Sequence, residues 1–438
     1  MPLSGNRTFV GFGFGAIQAG LFLYEAHRSG NFGRLVVAEV QPGVVKALRD
    51  ASGLYAVNVA HADHIECEQI GPVAIENPET AEGAEFLAKS VAEASEMATA
   101  LPSIRLYSTP SPGSIHRILA EGLMRKAASG GPPAVIYAAE NNNTAAEALE
   151  EEVFGLVPAD QKDKLRSCVR FLNTVIGKMS GVVVDPEEMR ARQLAPVTPN
   201  GDRAFLVEEF NRILISRIRF DDAPVAFRRG IAVFEEKDHL LPFEEAKLYG
   251  HNATHALAAY LGMIRGVRQI ADLKEMPGAL AFLETAFVEE SGAALIARNR
   301  GVDPLFTLEG YRAYAEDLLV RMFNPYLGDT VERVGRDAAR KLGWEDRLIG
   351  TIRAGLRSGI RMKRFGMGAA AAASALDPAA LSERNALRAT LETIWNQAAL
   401  NSEERRRVLH VVEEGWKKLR LWRERQFPHL ENLMQARS

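Results

Sequence analysis

Between Glu244 and Gly262 the chain reads EEAKLYGHNATHALAAYLG, which sets Lys247, His251, Asn252 and His255 against small and apolar residues. Three readings compete for that set. His251 and His255 are spaced i and i+4, so a helix could present both to one metal ion, as in the H-E-x-x-H sites of zinc hydrolases. The glutamate such a site uses as base would fall at Asn252, and the segment HADH, with His61 and His64, offers no obvious third ligand. The second reading is hydride transfer. Oxidising an alcohol requires a base for the hydroxyl proton and donors for the developing alkoxide. Lys247 can be that base if burial, nearby cations and a helix N-terminus pull its pKa down from about 10.4. Asn252 and His255, three apart, are neighbours on a helix surface. His255 lies about 80° around the helix from Lys247 at 100° per residue, near enough to share a pocket. The third reading is a capped helix start with exposed polar groups, and spacing alone leaves it level with the second.

A second constellation lies near the N-terminus. VGFGFGA places Gly11, Gly13 and Ala16 in a G-x-G-x-x-A pattern between a strand-like run and a helix-like run. The first glycine permits a tight turn, the second lets a pyrophosphate approach the backbone, and the third small residue lets helix and strand pack closely. The helix start then offers free N–H groups to phosphate. Gly15 gives an overlapping register, so Phe14 and Gly15 belong to the candidate loop as well. Glu39 ends the next strand-like run, where a carboxylate would hydrogen-bond ribose hydroxyls and repel a 2′-phosphate. The pattern therefore favours NAD over NADP as cofactor. The bland alternative is a glycine turn beside a surface glutamate.

Such residues must be held by elements, and the first 40 residues supply a βαβ unit. RTFVGFG is a strand, AIQAGLFLYEAHRSG a helix stopped by Gly30, and RLVVAEV a buried strand, which implies a parallel sheet. Further on, AEGAEFLAKSVAEASEMATAL is helical, IRLYST a strand, SIHRILAEGLMRKAA helical, PAVIYAAEN a strand and TAAEALEEEVFGLV helical. QLAPVTPNGD, residues 193 to 202, carries two prolines and an Asn-Gly and is the best linker candidate. After about residue 200 the strand signal fades and long helices dominate, GMGAAAAASALDP included. Leu409, Val412, Trp416 and Leu419 form a core-facing stripe, which makes Arg405, Arg406, Arg407, Lys417 and Lys418 its solvated side. The expected fold class is α/β: a Rossmann-type doubly wound sheet over residues 1–198, then a mostly α-helical domain over residues 199–438.

Composition narrows the function classes. At 438 residues two domains are expected. A net charge of −3 gives no reason to expect nucleic acid or an anionic membrane as partner. The two cysteines, Cys67 and Cys168, form neither a disulfide framework nor a zinc pattern, and suit the cytoplasm. No apolar run approaches the roughly 18 to 20 residues of a spanning helix. TFVGFGFGAIQAGLFLY has a signal-peptide flavour, but its glycines and missing cleavage site mark it as the start of a mature domain.

The residues Lys247, Asn252 and His255 match the K-x-x-x-x-N-x-x-H motif of the long-chain mannitol dehydrogenase family of polyol and sugar-acid oxidoreductases, which this sequence resembles. FEEAKLYGHNATHALAAYLG and NPYLGDTVERVGRDAARKLGWEDRLI most resemble its mannitol-1-phosphate 5-dehydrogenase branch. In patches the resemblance spans roughly residues 8 to 355. It implies a zinc-independent NAD enzyme without a metal, in which Lys247 is the general base and Asn252 and His255 bind the reacting oxygen. It also implies that Arg333 and Lys341, eight apart, hold the polyol, with Arg336 and Arg340 adding charge that suits a phosphate. Asn141, in AAENNNT, falls at the family's substrate-binding asparagine, without the Met that usually follows. The family's N-S-M-V-D-R-I segment reads N-T-V-I-G-K-M here, so Gly177 and Lys178 replace its aspartate and arginine. The expected partner is a small sugar alcohol, a ketose or their phosphates, acted on by a monomer or small homo-oligomer. Mannitol 1-phosphate and fructose 6-phosphate are the lead pair. A sugar acid as substrate and a catalytically weak NAD(H)-binding sensor are the alternatives.

Overall fold

Thr8–Phe12 is buried at every position, the pattern of a strand covered on both faces. Phe9 joins the apolar cluster on one side of the sheet, and Val10 and Phe12 join the cluster on the other. In the computed structural model, which describes residues 7–220, 227–396 and 402–435, this strand is β1. The remaining strands are β2 (Arg34–Ala38), β3 (Tyr55–Ala60), β4 (Ile65–Ile70), β5 (Val73–Glu76), β6 (Ala94–Thr99), β7 (Ala134–Ala138), β8 (Val169–Ile176), β9 (Ser180–Val183), β10 (Ala204–Glu208), β11 (Ile213–Ser216) and β12 (Phe234–Lys237). An eight-stranded sheet runs β12-β11-β8-β7-β6-β1-β2-β5, and a four-stranded sheet runs β4-β3-β10-β9. From β5 to β8 the large sheet is parallel, and β11 enters antiparallel to β8. Its ladders place the ends of β1, β2, β6 and β7 along one edge, with Phe12 beside Ala38 and Thr99, and Thr99 beside Ala138.

The chain divides into two compact units, one ending at Leu241 and one beginning at Pro242. The boundary expected near residue 198 lies inside the first unit. QLAPVTPNGD is no linker: Asn58 of β3 grips it through Ala195 N–H (2.8 Å) and Ala195 O (2.9 Å), and Val197 O accepts from Ala56 N–H. Three strands, β10 to β12, follow residue 200 and complete both sheets, so the strand signal persists where the sequence suggested helices. A further correction concerns β6. The sequence reading carried the helix to residue 101 and placed a strand at IRLYST, but the helix is Ala81–Glu93 and Ile104–Leu106 is a 3₁₀ turn. Ala-Ser-Glu-Met-Ala-Thr reads as helix by propensity. Burial of all six residues between β1 and β7 overrides that preference.

The second unit is helical. The alanine-rich stretch forms Lys363–Leu376 and is buried from Phe365 to Ala373. It lies against the helix Ser402–Glu424, where a Cβ on Gly415 would meet Gly366 C at 2.1 Å, so the small residues allow backbone to approach backbone. On the latter helix Val412, Trp416 and Leu419 are buried as the stripe requires, with Val408 rather than Leu409 as its first member. Arg406, Arg407 and Lys417 are exposed.

Candidate active site

In the first unit the glycine turn follows β1 directly. Gly13 has φ +86°, and its N–H donates to Ala38 O at 2.9 Å. A Cβ there would meet Ala100 O at 2.9 Å, and one on Gly11 would meet Gln18 Nε2 at 2.2 Å. Gly15 is exposed, with nothing within 4 Å of its Cβ position. Ala19 N–H donates to Gly15 O at 2.9 Å, which opens the helix that begins at Ala16. The loop thus excludes side chains at Gly11 and Gly13 and leaves open space at Gly15, beside free N–H groups. Phe14 turns its ring into the core against Tyr55 and Phe205, so only its backbone remains in the loop. Glu39 is buried at the end of β2 and accepts from Phe14 N–H (3.2 Å) and Gln41 N–H (2.9 Å). A carboxylate has about four acceptor sites, so two remain for hydroxyl donors.

Asn141 is exposed just after β7. The buried residue there is Glu140, whose carboxylate accepts from Thr99 Oγ1 (3.0 Å), Leu101 N–H (2.9 Å) and the Tyr107 hydroxyl, binding the ends of β6 and β7 together. Gly177 follows β8. Lys178 is buried, donates to Phe210 O at 3.0 Å and is pushed down to about pKa 8 by that burial.

In the second unit one helix runs from Leu241 to Arg265 and ends at Gly266 with φ +79°. Its middle, Ala246–Asn252, is π-helical. An α-helix would set Lys247 and Asn252, five apart, about 140° from each other. A π turn closes i to i+5 and brings them to one side, and the α-helix that resumes at Ala253 makes Asn252 and His255 neighbours. The helix begins at Leu241, so Lys247 lies past its first turn, and burial and Arg347 rather than the helix N-terminus lower its pKa. Lys247, Asn252 and His255 are each partly buried, while His251 points inward and is 5% exposed. The π turn is stabilised from outside: Tyr249 O accepts from Ser291 Oγ at 2.7 Å and from Thr351 Oγ1 at 3.2 Å. Gly250 lets Tyr311 and Phe287 pack at its Cα, where a Cβ would meet Tyr311 OH at 2.6 Å.

Cations outnumber carboxylates around this face, whose acidic groups are Glu244 and Asp329. Burial, then the nearby Arg347 guanidinium, lowers Lys247 to about pKa 8, against an opposing pull from Glu244. Burial and the charges of Arg333, Arg347 and Lys341 lower His255 to about 3, so its imidazole is neutral at physiological pH. Burial and the neighbouring His255, Arg321, Lys247 and Arg347 hold His251 well below the ordinary histidine value. That field opposes a bound cation, and among the described residues no third ligand atom assembles with His251 and His255.

The expected polyol clamp is partly internal. Arg333 pairs with Asp329, and Lys341 is buried, donates to Arg336 O and is lowered to about 8 by burial and by Arg347 and Arg340. Arg336 is exposed at the break between Val331–Gly335 and Ala338–Lys341, and Arg340 is held by Asp337 and Asp346.

Two residues escaped the sequence reading. Asp329, 6% exposed, turns Oδ2 to within 3.4 Å of His255 Nε2; neither atom has a hydrogen-bond partner. Arg347, paired with Asp346 at 2.9 Å, acts on Lys247, His251, His255 and Lys341 alike. The i,i+4 spacing of Asp329 and Arg333 was the available signal for the first. Nothing in the sequence marked the second among its neighbouring arginines.

Comparison with known proteins identifies the lineage. The mannitol dehydrogenase Rossmann domain matches residues 7–225, and the mannitol dehydrogenase C-terminal domain matches residues 239–414, well past the limit at which the motifs alone give out. The chain is similar to Pseudomonas fluorescens mannitol 2-dehydrogenase, solved as a ternary complex with NAD and D-mannitol. The identity is 18%, with a TM-score of 0.71 over 99% of this chain and 95% of that one. It is similar also to a D-sorbitol dehydrogenase in substrate-free form, at 14% identity and a TM-score of 0.71 over 98% of each chain. With both of the family's domains matched in order, the chain belongs to the mannitol dehydrogenase family of oxidoreductases.

Proposed function

We propose that this protein is an NAD-dependent, zinc-independent dehydrogenase that interconverts a secondary alcohol of a sugar alcohol or its phosphate with the corresponding ketose, mannitol 1-phosphate and fructose 6-phosphate being the lead pair. The observation that carries the reading is the π turn, which gathers Lys247, Asn252 and His255 on one face under a positive field.

Gly15 and Ala16 at the helix start would hold the cofactor's pyrophosphate in the turn shaped by Gly11, Gly13 and Phe14, and Glu39 its ribose hydroxyls. Bound there, NAD supplies the acceptor for the hydride. The remaining chemistry belongs to this chain. Lys247, lowered to about 8, is in part the neutral amine near pH 8 and takes the hydroxyl proton at Nζ. Asn252 Nδ2 and neutral His255 donate to the oxygen on which negative charge develops. His255 Nε2 and Asp329 Oδ2, 3.4 Å apart and both closed off from solvent, place a carboxylate where it can orient the imidazole. Asn141, Arg333, Arg336 and Lys341 are the proposed substrate contacts. Support for a phosphate comes from Arg336, exposed and, among the described residues, in no ion pair.

NADH oxidation with fructose 6-phosphate and with fructose, side by side and with Lys247→Ala as control, tests the reading. Turnover with the phosphate, lost in the variant, is expected. Turnover with fructose alone would move the assignment to free polyols. Silence with both, and with a panel of sugar acids, despite tight NADH binding would replace the enzyme by a sensor.

A further inference from the structure

We propose that the turn between β3 and β4, in the first unit, is a second and non-catalytic site that binds a transition-metal ion of the Zn²⁺ class through His61, His64 and Glu66. His61 follows β3, His64 precedes β4 and Glu66 is the second residue of β4. The turn is closed by His61 N–H donating to His64 O at 2.9 Å. One ligand atom from each of the three side chains lies within 4.8 Å of the other two. The imidazoles are stacked, with centroids 4.5 Å apart and 6° between planes, so one ring must turn about its Cβ–Cγ bond to bring both nitrogens onto one ion.

Each ring shares one feature with metal-bound histidines, a carboxylate beside Nδ1. Such a ring usually gives its second nitrogen to a carboxylate, which fixes the tautomer and directs the other nitrogen at the ion. Here His61 Nδ1 lies 2.9 Å from Glu209 Oε2, and His64 Nδ1 lies 2.7 Å from Asp63 Oδ1. Glu209 is set in place by its own N–H, which donates to Ala60 O at 3.2 Å where β10 runs beside β3. His61 Nε2 then faces Glu66 Oε2 at 3.3 Å. A ring that donates from Nδ1 presents a lone pair at Nε2, so two acceptors oppose each other unless a cation, a proton or a metal ion, lies between them.

Charge distinguishes this histidine pair from His251 and His255. Asp63, Glu66 and Glu209 surround the pair with carboxylates, whereas His251 and His255 sit among cations. Two imidazole nitrogens and one carboxylate oxygen suit Zn²⁺, Ni²⁺ or Cu²⁺ rather than Mg²⁺ or Ca²⁺, which prefer all-oxygen sets. The side chains of His64 and Glu66 are 56% and 55% exposed, leaving a path for the ion and room for water as a fourth ligand. Bound there, the ion would tie the β3–β4 turn together, with Glu209 joining it to the end of β10.

The test is calorimetric titration of the chelator-stripped full chain with ZnCl₂, with MgCl₂ present in excess. One ion per chain is expected, with a dissociation constant in the micromolar range or below. Glu66→Gln or His64→Ala should each weaken it about tenfold or more, and Glu209→Gln by roughly tenfold. Lys247→Ala should bind zinc as the unaltered protein does. Absence of binding, displacement by Mg²⁺, or binding unchanged in His61→Ala/His64→Ala would overturn the proposal, the last by showing adventitious surface binding. Because the readout is zinc and not turnover, its outcome is independent of the dehydrogenase assignment.

Discussion

Arg336 and Arg333 illustrate how differently two cations three residues apart are used. Arg333 pairs with Asp329, whereas Arg336 stands exposed at a break between two short helices. If the substrate carries a phosphate, Arg336→Ala should raise KM for the phosphorylated ketose about tenfold and leave kcat within a factor of two, since a distant charge contributes equally to ground and transition states. Steady-state kinetics on both ketoses would show it, and equal effects on both substrates would remove the phosphate role. The residues of the π-turn face were legible because their types and spacing form a motif. Asp329 and Arg347 were not, since their importance lies in what they face: a buried carboxylate opposite His255 and a guanidinium that depresses two lysines and two histidines. Gly177 was legible as a departure, but its consequence was not. Lys178 beside it is buried and tied to Phe210 O.

At the scale of elements, the π turn decides whether Lys247 and Asn252 share a side. No propensity signals it. It is held by partners remote in sequence, the hydroxyls of Ser291 and Thr351 on the Tyr249 carbonyl. Replacing both, as Ser291→Ala with Thr351→Val, should cost about 1–3 kcal/mol of stability, the penalty of a part-buried carbonyl losing both hydroxyl donors. It should also lower kcat well below what the loss of folded protein explains, because relaxation toward an α turn moves Lys247 away from Asn252. Urea unfolding together with kcat per folded molecule checks this, and full activity in a destabilised variant would refute the role of the turn. The same remoteness explains the misread β6. Its alanines favour a helix, and only burial between β1 and β7 makes a strand of them. The glycine turn and Glu39 were legible because backbone geometry there depends on residue type alone.

At the scale of the whole molecule, the order of a Rossmann unit and a helical unit was legible, but the division was not. Prolines and an Asn-Gly at 193–202 mimic a linker, while Asn58 stitches that segment to β3. Burial lowers Lys126, Lys178, Lys247 and Lys341 each to about 8. Unfolded lysines titrate near about 10.4, so between roughly pH 8 and pH 10 the unfolded chain holds more protons than the folded one. Stability should therefore rise with pH across that window. Above about pH 10 the sign reverses, because burial raises Tyr55, Tyr137 and Tyr311, which stay protonated in the folded state while unfolded tyrosines ionise. Scanning calorimetry should find the highest Tm near about pH 10; a Tm that falls steadily from pH 8 would contradict these burial effects.

The central claim is that Lys247 moves the proton. It is tested most directly by the pH dependence of kcat/KM for alcohol oxidation, in the unaltered protein and in Lys247→Ala with added methylamine. Oxidation needs the neutral amine, so the rate should rise through about pH 8 and level off, and ketose reduction should fall over the same range. The variant should lose about 10²- to 10⁴-fold, lose that pH step, and recover in part with methylamine. A variant that keeps the rate or the step near pH 8 would contradict the account and place the base elsewhere.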